Sequence, residues 1–387
     1  MEFLNNNVCS PKGFKALGKA IGIKKSGKAD FAVIFSEVLA DAAAVYTSNK
    51  VKGAPLIVTK NHLKDGKAQA IIINGGISNV CTGEKGIKDA EETAKLAAEE
   101  IGIDSNNVLV ASTGLIGAFL PMGRITKGIK GIKNELGISP DAATAIMTTD
   151  KVKKEIAVKV DNFTIGAIAK GSGMIHPNMA TMLCFITTDA KIPSKKLAAF
   201  LKNSVDKSFN MINVDMDQST SDMAVIMANG LAGKADEKKF QNALDHVCIE
   251  LAKKIAKDGE GATKLVEVEV KNAATEADAK KIAKSVVSSN LVKCAIFGND
   301  PNWGRIMCAI GNSGAKFSED KIDICFDNKI IVNKGVGTDF NFGEIKKIMG
   351  KEELKIIIDL NDGEENATAY GCDMSYEYVK TNALYTT

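Results

Sequence analysis

Seven short apolar runs, each rich in β-branched or aromatic residues, recur along the 387-residue chain: FAVIFS (31–36), PLIVT (55–59), QAIII (69–73), NVLVAST (107–113), MLCFITT (182–188), KLVEVEV (264–270) and KIIIDL (355–360). Runs of this length and composition read as strands. Between them, IKDAEETAKLAAEEIGI (87–103), PSKKLAAFLKNSVDKSF (193–209) and ATEADAKKIAKSVVSS (274–289) place apolar residues at helical spacing with charge on the other face. The class is therefore mixed α/β (α+β). The length suggests two or three domains, yet no Pro- or Ser-rich linker divides the chain and no internal repeat is visible.

Charge and composition exclude several roles. The 50 Lys and Arg against 47 Asp and Glu leave a formal charge of +3, too small for the footprint of a nucleic-acid binder. The first twenty residues show no basic segment followed by an apolar one, and no uncharged apolar run is long enough to span a bilayer, so a cytoplasmic protein without membrane contact is expected. The 8 cysteines are scattered, with no C-x-x-C pair, and read as buried reduced thiols. With only 3 histidines, His62, His176 and His246, a multi-His metal centre is not expected. No phosphate-cradling glycine motif of either common type is present, so no nucleotide cofactor is implied.

One segment has chemistry in it. KGSGMIHPNMATML (170–183) runs a glycine-containing loop into the apolar run at 182–188, with Thr181 at the join. A threonine hydroxyl needs a base, and the most compact one is the residue's own α-amino group, whose reference pKa of roughly 7.7 to 8 leaves a useful neutral fraction near pH 7. An internal threonine has no such amine. Attack of the Thr181 hydroxyl on the Ala180 carbonyl, followed by ester hydrolysis, would create one. Gly171 and Gly173 can supply the backbone conformations for this, and the β-branch restricts where Oγ points. The dipeptide alone is weak, since Ala-Thr also occurs at 143–144, 262–263, 274–275 and 367–368. His176, in the same loop, reads as structural rather than catalytic.

Together with SPKGFKALG (10–18), AAAVYTSNKVKGAP (42–55), VLVASTGLIGAFLPM (108–122), IMTTD (146–150), DGEGATKL (258–265), AIFGNDPNWGR (295–305) and YVKTNALYTT (378–387), that segment closely resembles the ornithine acetyltransferase family, also called glutamate N-acetyltransferases. The resemblance implies an αββα sandwich like that of N-terminal-nucleophile enzymes and their D-aminopeptidase relatives. It implies self-cleavage between Ala180 and Thr181 into an α chain (1–180) and a β chain (181–387), both contributing to one core with a smaller additional C-terminal subdomain, and an α2β2 heterotetramer. By the same resemblance Thr181 is the nucleophile, Thr113 and Gly114 stabilise the oxyanion, and Thr148, Lys170, Thr181, Glu260, Asn382 and Thr387 contact substrate. No metal or cofactor is implied.

The implied reaction moves acetyl from N-acetylornithine to Thr181 and then to glutamate. Whether acetyl-CoA also serves as donor is left open by the sequence. So is the choice of Thr148 or Thr149, because the segment leading to Lys170 is about one residue shorter than the family pattern. INVDMDQSTSDM (212–223) departs from the family's usual run. Taken one at a time, several of these residues also have plainer readings. Lys170 reads as a solvated surface lysine, and Glu260 as a cap for a helix starting near Ala262. NDPNWGR reads as a turn with Trp303 packed. The strand-like tail is expected to dock into the site. Two other functional classes fit the same residues: an amidohydrolase or aminopeptidase in which water takes the acyl group, and a non-catalytic binding protein whose chain stays whole.

Overall fold

The computed structural model describes residues 1–5, 7–137, 141–176 and 182–384. Ala180, Thr181 and Thr387, named above for cleavage, nucleophile and substrate, lie outside the described residues. The strands of the first sheet are β1 (Glu2–Leu4), β2 (Phe14–Lys19), β3 (Phe31–Tyr46), β4 (Lys67–Ile77), β5 (Val108–Leu115), β6 (Lys154–Val160), β7 (Phe163–Lys170), β8 (Leu183–Lys191) and, after β9 (Ile212–Asn213) of the second sheet, β10 (Met223–Lys234). They are ordered β1-β6-β7-β8-β10-β3-β4-β5, with β2 paired to β3. Strands from before and after residue 181 therefore interleave.

Side-chain alternation shows how this sheet packs. On β8, Leu183 and Phe185 enter one cluster while Cys184 and Ile186 enter another. On β10, Val225 and Met227 divide from Ala224 and Ile226 in the same way. The cluster holding Phe185 and Val225 also holds Ile34 of β3, Ile71 and Ile73 of β4 and Leu109 of β5. The two halves of the sheet thus face each other across a shared apolar layer. Beyond one half, Cys184 and Ile226 pack on helices α6 (Ser194–Lys207) and α7 (Glu237–Lys257). Beyond the other, Val33, Ile72 and Val110 pack on α2 (Gly83–Ile101) and α3 (Met122–Ile129). The four layers are α, β, β and α.

The second sheet adds β11 (Leu265–Ala273), β12 (Asp323–Phe326), β13 (Lys329–Asn333), β14 (Val336–Gly337), β15 (Glu353–Asp359) and β16 (Glu365–Cys372) to β9, in the order β14-β13-β12-β15-β11-β16-β9. One face carries Val266, Val268, Val270, Ile356 and Ile358 against α8 (Glu276–Ser288), α10 (Trp303–Gly311) and α11 (Phe342–Met349). On its other side, Leu265, Tyr370 and Cys372 join the cluster around α7, so that helix is the seam between the two sheets. Its start is fixed by Asp236, whose carboxylate accepts from the Lys239 amide.

Six of the seven expected strands lie on β3, β4, β5, β8, β11 and β15, overrunning them by at most one residue, and the three expected helices match α2, α6 and α8 to within a few residues. Residues 55–59 do not form a strand but lie in α1 (Ala54–His62). A five-residue apolar run does not separate the two periods, and Pro55 suits a first helical turn, where its missing N–H costs nothing. The Thr59 hydroxyl then donates to the Val110 carbonyl at 2.7 Å, seating α1 on β5. The tail is likewise helical, as α12 (Tyr376–Leu384), rather than strand-like. The cysteines are all free, as expected, but Cys81, Cys294 and Cys308 are exposed. On α9 (Asn290–Phe297), Cys294 takes the solvent side while Val292 and Ile296 are buried.

Candidate active site

At the open end of the two facing half-sheets lies a cleft of about 320 Å³. Its lining gathers Thr113, Gly114, Thr148, Thr149, Lys170, Glu260 and Asn382, which are widely separated in the chain, and adds Ser78, Met182 and residues 219–222. All the described site residues expected from the resemblance are thus brought together. Met182, the residue after Thr181, is in the lining as well.

Strand register sets the Thr113–Gly114 position. β5 runs parallel to β4 with Gly75 opposite Thr113 and Gly76 opposite Gly114, and the pairing becomes irregular at Gly76 and Ile77. Gly114 has a φ of +128°, and a Cβ there would lie 2.3 Å from the Gly76 carbonyl carbon, so only glycine fits. Thr113 comes from one half-sheet and Lys170, at the end of β7, from the other. The Lys170 ammonium donates to Thr113 Oγ1 at 3.1 Å. Because that hydroxyl is used as acceptor, its own hydrogen is free to be donated into the cleft.

A buried ionic cluster holds the loop beneath. Lys154 is fully buried, with Nζ 2.7 Å from Asp150 Oδ1 and 2.6 Å from Asp258 Oδ2. Asp150 also accepts from the Gly171 amide at 2.7 Å and the Thr148 amide at 3.0 Å. Burial alone pushes the Asp150 carboxyl upward, but the charges of Lys170 and Lys154 and the hydrogen bonds from Lys154 and the Thr148 amide outweigh it and hold it at about 2. This cluster therefore positions both Thr148 and the glycine loop. That loop continues through Ser172, whose hydroxyl donates to the Asp258 carbonyl at 2.7 Å. The Met174 and Ile175 amides donate to Asp215 at 2.7 and 2.8 Å. Burial raises Asp215, with those amide bonds opposing the rise.

Glu260 begins no helix. Residues 259–264 are a loop leading into β11, so the capping alternative is excluded. A Cβ on Gly173 would meet the Glu260 carboxylate at 2.4 Å, so the loop lies directly on that side chain. Glu260 Oε2 accepts from Asn382 Nδ2 at 2.9 Å. Asn382 arrives there because the chain before α12 is tethered to the same loop: Asp373 Oδ1 accepts from the Thr263 and Lys264 amides at 2.8 and 3.0 Å, and the Ser375 hydroxyl donates to the Gly261 carbonyl at 2.6 Å.

His176 is absent from the cleft lining; its Nδ1 is 2.8 Å from Asn213 Oδ1, and burial, aided by Lys284, lowers its pKa. Trp303 begins α10 directly after the NDPN turn and packs on the second sheet's core. Sequence reasoning missed Asp150, Lys154, Asp258 and Asp222. For Asp222 a signal existed, an acidic residue immediately before the apolar run MAVIM. For the buried triad there was none, because Lys154 and Asp258 are 104 positions apart. Among the described residues no group of three His, Cys, Asp or Glu side chains could hold a metal ion, and no helix is long and apolar enough to cross a membrane.

Among the described residues the cleft carries one cation, two carboxyl groups and a wall of hydroxyls between facing half-sheets, which defines the class: a layered α/β enzyme with a compact polar site. The ArgJ family model matches residues 15–387. The arginine biosynthesis bifunctional protein ArgJ of Caldanaerobacter subterraneus subsp. tengcongensis is 50% identical over the full length of both chains, and that of Listeria monocytogenes serotype 4b is 49% identical, again over all of both. The crystal structure of the same-named protein from Bacillus halodurans is 42% identical with a TM-score of 0.50, covering 51% of this chain and 97% of that one. The chain belongs to the ArgJ family.

Proposed function

We propose that this enzyme moves the acetyl group of N-acetylornithine to glutamate through an acetyl-Thr181 intermediate, in arginine biosynthesis. The observation that carries this reading is the convergence of Thr113, Gly114, Lys170, Glu260 and Asn382 on one cleft beside Met182, within a chain of the ArgJ family. Self-cleavage between Ala180 and Thr181 comes first and frees an amine on the nucleophile. In the first half-reaction Thr181 Oγ attacks the acetyl carbonyl, the amine takes the proton and returns it to the leaving ornithine nitrogen, and an ester remains. In the second, glutamate attacks that ester and N-acetylglutamate departs.

Each neighbour has a role. The Thr113 hydroxyl and Gly114 N–H stabilise the oxyanion in both halves, a contribution of about 3 to 4 kcal/mol per donor. Lys170 attracts a substrate carboxylate, Glu260 a substrate ammonium, and Asn382, Thr148 and Thr387 complete the contacts. Thr149 lines the cleft beside Thr148 and shares the expectation for it. The cleaved chains, 1–180 and 181–387, assemble as an α2β2 heterotetramer in the cytoplasm.

The test is an assay of purified protein with N-acetylornithine and glutamate, following N-acetylglutamate. Glutamate should accelerate loss of acetyl from the enzyme; acetate release indifferent to glutamate would instead mark a hydrolase. Because the relatives are named bifunctional, the assay is repeated with acetyl-CoA as sole donor. Thr181→Ala should leave the chain whole on a denaturing gel and abolish transfer.

A further inference from the structure

Self-cleavage, as proposed above, presents a chemical difficulty that turnover does not. The amine that serves as base in turnover does not exist until the Ala180–Thr181 bond has been cut. Another group must take the hydroxyl proton in the uncut chain. Among the described residues that line the cleft, three ionise: Lys170, Glu260 and Asp222. Lys170 is engaged with Thr113, and Glu260 with Asn382.

Asp222 differs from both. It is 5% exposed, it lines the cleft, and its Oδ2 has no hydrogen-bond partner among the described residues. Such an orphaned buried oxygen is costly and calls for a physical explanation. Its place in the fold is equally specific. The Met223 amide donates to the Met182 carbonyl at 3.0 Å, and β10 runs parallel to β8 with Met223 opposite Leu183. Asp222 and Thr181 are the residues that precede Met223 and Met182 in the sequence. The Asp222 backbone is fixed as well, its carbonyl accepting from the Thr47 amide at 3.0 Å.

We propose that Asp222 is the general base of self-cleavage. Its Oδ2 takes the Thr181 hydroxyl proton as Oγ bonds to the Ala180 carbonyl carbon. The Ala180–Thr181 C–N bond then breaks, and the same carboxyl returns the proton to the departing nitrogen. Water hydrolyses the resulting ester, leaving a carboxylate on Ala180 and restoring the Thr181 hydroxyl. One proton leaves Asp222 for each proton it takes, so the residue is unchanged at the end.

Electrostatics agree with this use. Burial pushes the carboxyl up to about 8, against the pull of a Ser219 hydrogen bond and the Lys170 charge. Lys170 ends β7, Tyr46, whose phenol burial also raises, ends β3, and Lys52 donates to the Thr47 carbonyl beside the amide that holds the Asp222 backbone. Of these, Lys170 is the one that acts on Asp222. A base with this affinity takes a hydroxyl proton more readily than an ordinary carboxylate does.

The experiment follows cleavage of the full-length chain made by cell-free translation and transferred to buffers of different pH, with both fragments read on denaturing gels. The wild-type rate should rise about tenfold per pH unit and level off near pH 8. Asp222→Asn, nearly isosteric, should slow cleavage by roughly 100-fold or more and remove that break, while Asp222→Glu should cleave slowly with the break displaced. Cleavage of Asp222→Asn at the wild-type rate, or a wild-type profile flat across this range, overturns the proposal. If thermal unfolding shows that Asp222→Asn has not folded, the wild-type and Asp222→Glu profiles decide, and identical profiles count against it. The inference rests on the self-cleavage reading, and the two fail differently. A wild-type chain that never cleaves removes self-cleavage itself, whereas one that cleaves without needing Asp222 removes only the base.

Discussion

Lys170 Nζ donates to Thr113 Oγ1 across 3.1 Å and so joins the two facing halves of the first sheet at the mouth of the cleft. The bond uses that hydroxyl as acceptor and leaves its hydrogen free for the oxyanion role proposed for it. Thr113→Val keeps the shape and removes that donor. It should lower kcat by about 100- to 1,000-fold with a smaller change in KM, and Thr113→Ser should recover much of the loss. Steady-state kinetics with N-acetylornithine and glutamate check both.

Gly114→Ala places a methyl group 2.3 Å from the Gly76 carbonyl carbon, at a φ of +128°. The β4–β5 pairing must open locally to admit it. Activity should fall to near background, and amide exchange at residues 75–77 and 113–115 should quicken while the rest of the chain stays protected.

Lys154→Met leaves Asp150 and Asp258 buried without their shared cation. Breaking a buried ionic group in this way costs about 3 to 5 kcal/mol, read as a lower urea midpoint. The same change loosens Asp150, which holds the Thr148 and Gly171 amides. KM should therefore rise even in the fraction that remains folded.

The two most perturbed carboxyl groups near the cleft should move stability with pH in opposite senses. Asp150 is held at about 2, below the ordinary value of about 3.9, so its contribution is complete above about pH 4 and is lost as pH falls through 2. Asp150→Asn should be less stable than wild type at neutral pH, with the difference closing in acid. Asp222 lies at about 8, so the folded state keeps a proton that the unfolded chain releases, and wild-type stability declines between about pH 4 and 8. Asp222→Asn should gain on wild type across that window and match it below. Urea unfolding at several pH values measures both.

Much of the fold was readable from local pattern. Alternating or continuous apolar runs of strand length and helices with one charged face come from spacing along the chain, and spacing needs no knowledge of neighbours. The exception at 55–59 is instructive. Five apolar residues suit either period, and what decided for a helix was the surface of β5 against which Thr59 is bonded. The exposed cysteines follow the same rule, since a cysteine on a short helix is buried or exposed according to which side meets the sheet.

The sequence by itself determined the mixed class, the segment for which cleavage is proposed and the family motifs, because each is carried by residues close together in the chain. Tertiary structure alone decided that Lys154 bridges Asp150 and Asp258, that Asn382 reaches Glu260 from the far end of the chain, and that Asp222 lines the cleft with one oxygen that has no partner among the described residues. The physical reason is range. Backbone preference and side-chain periodicity act over a few residues, whereas desolvation and charge pairing depend on what the whole fold brings within a few ångströms.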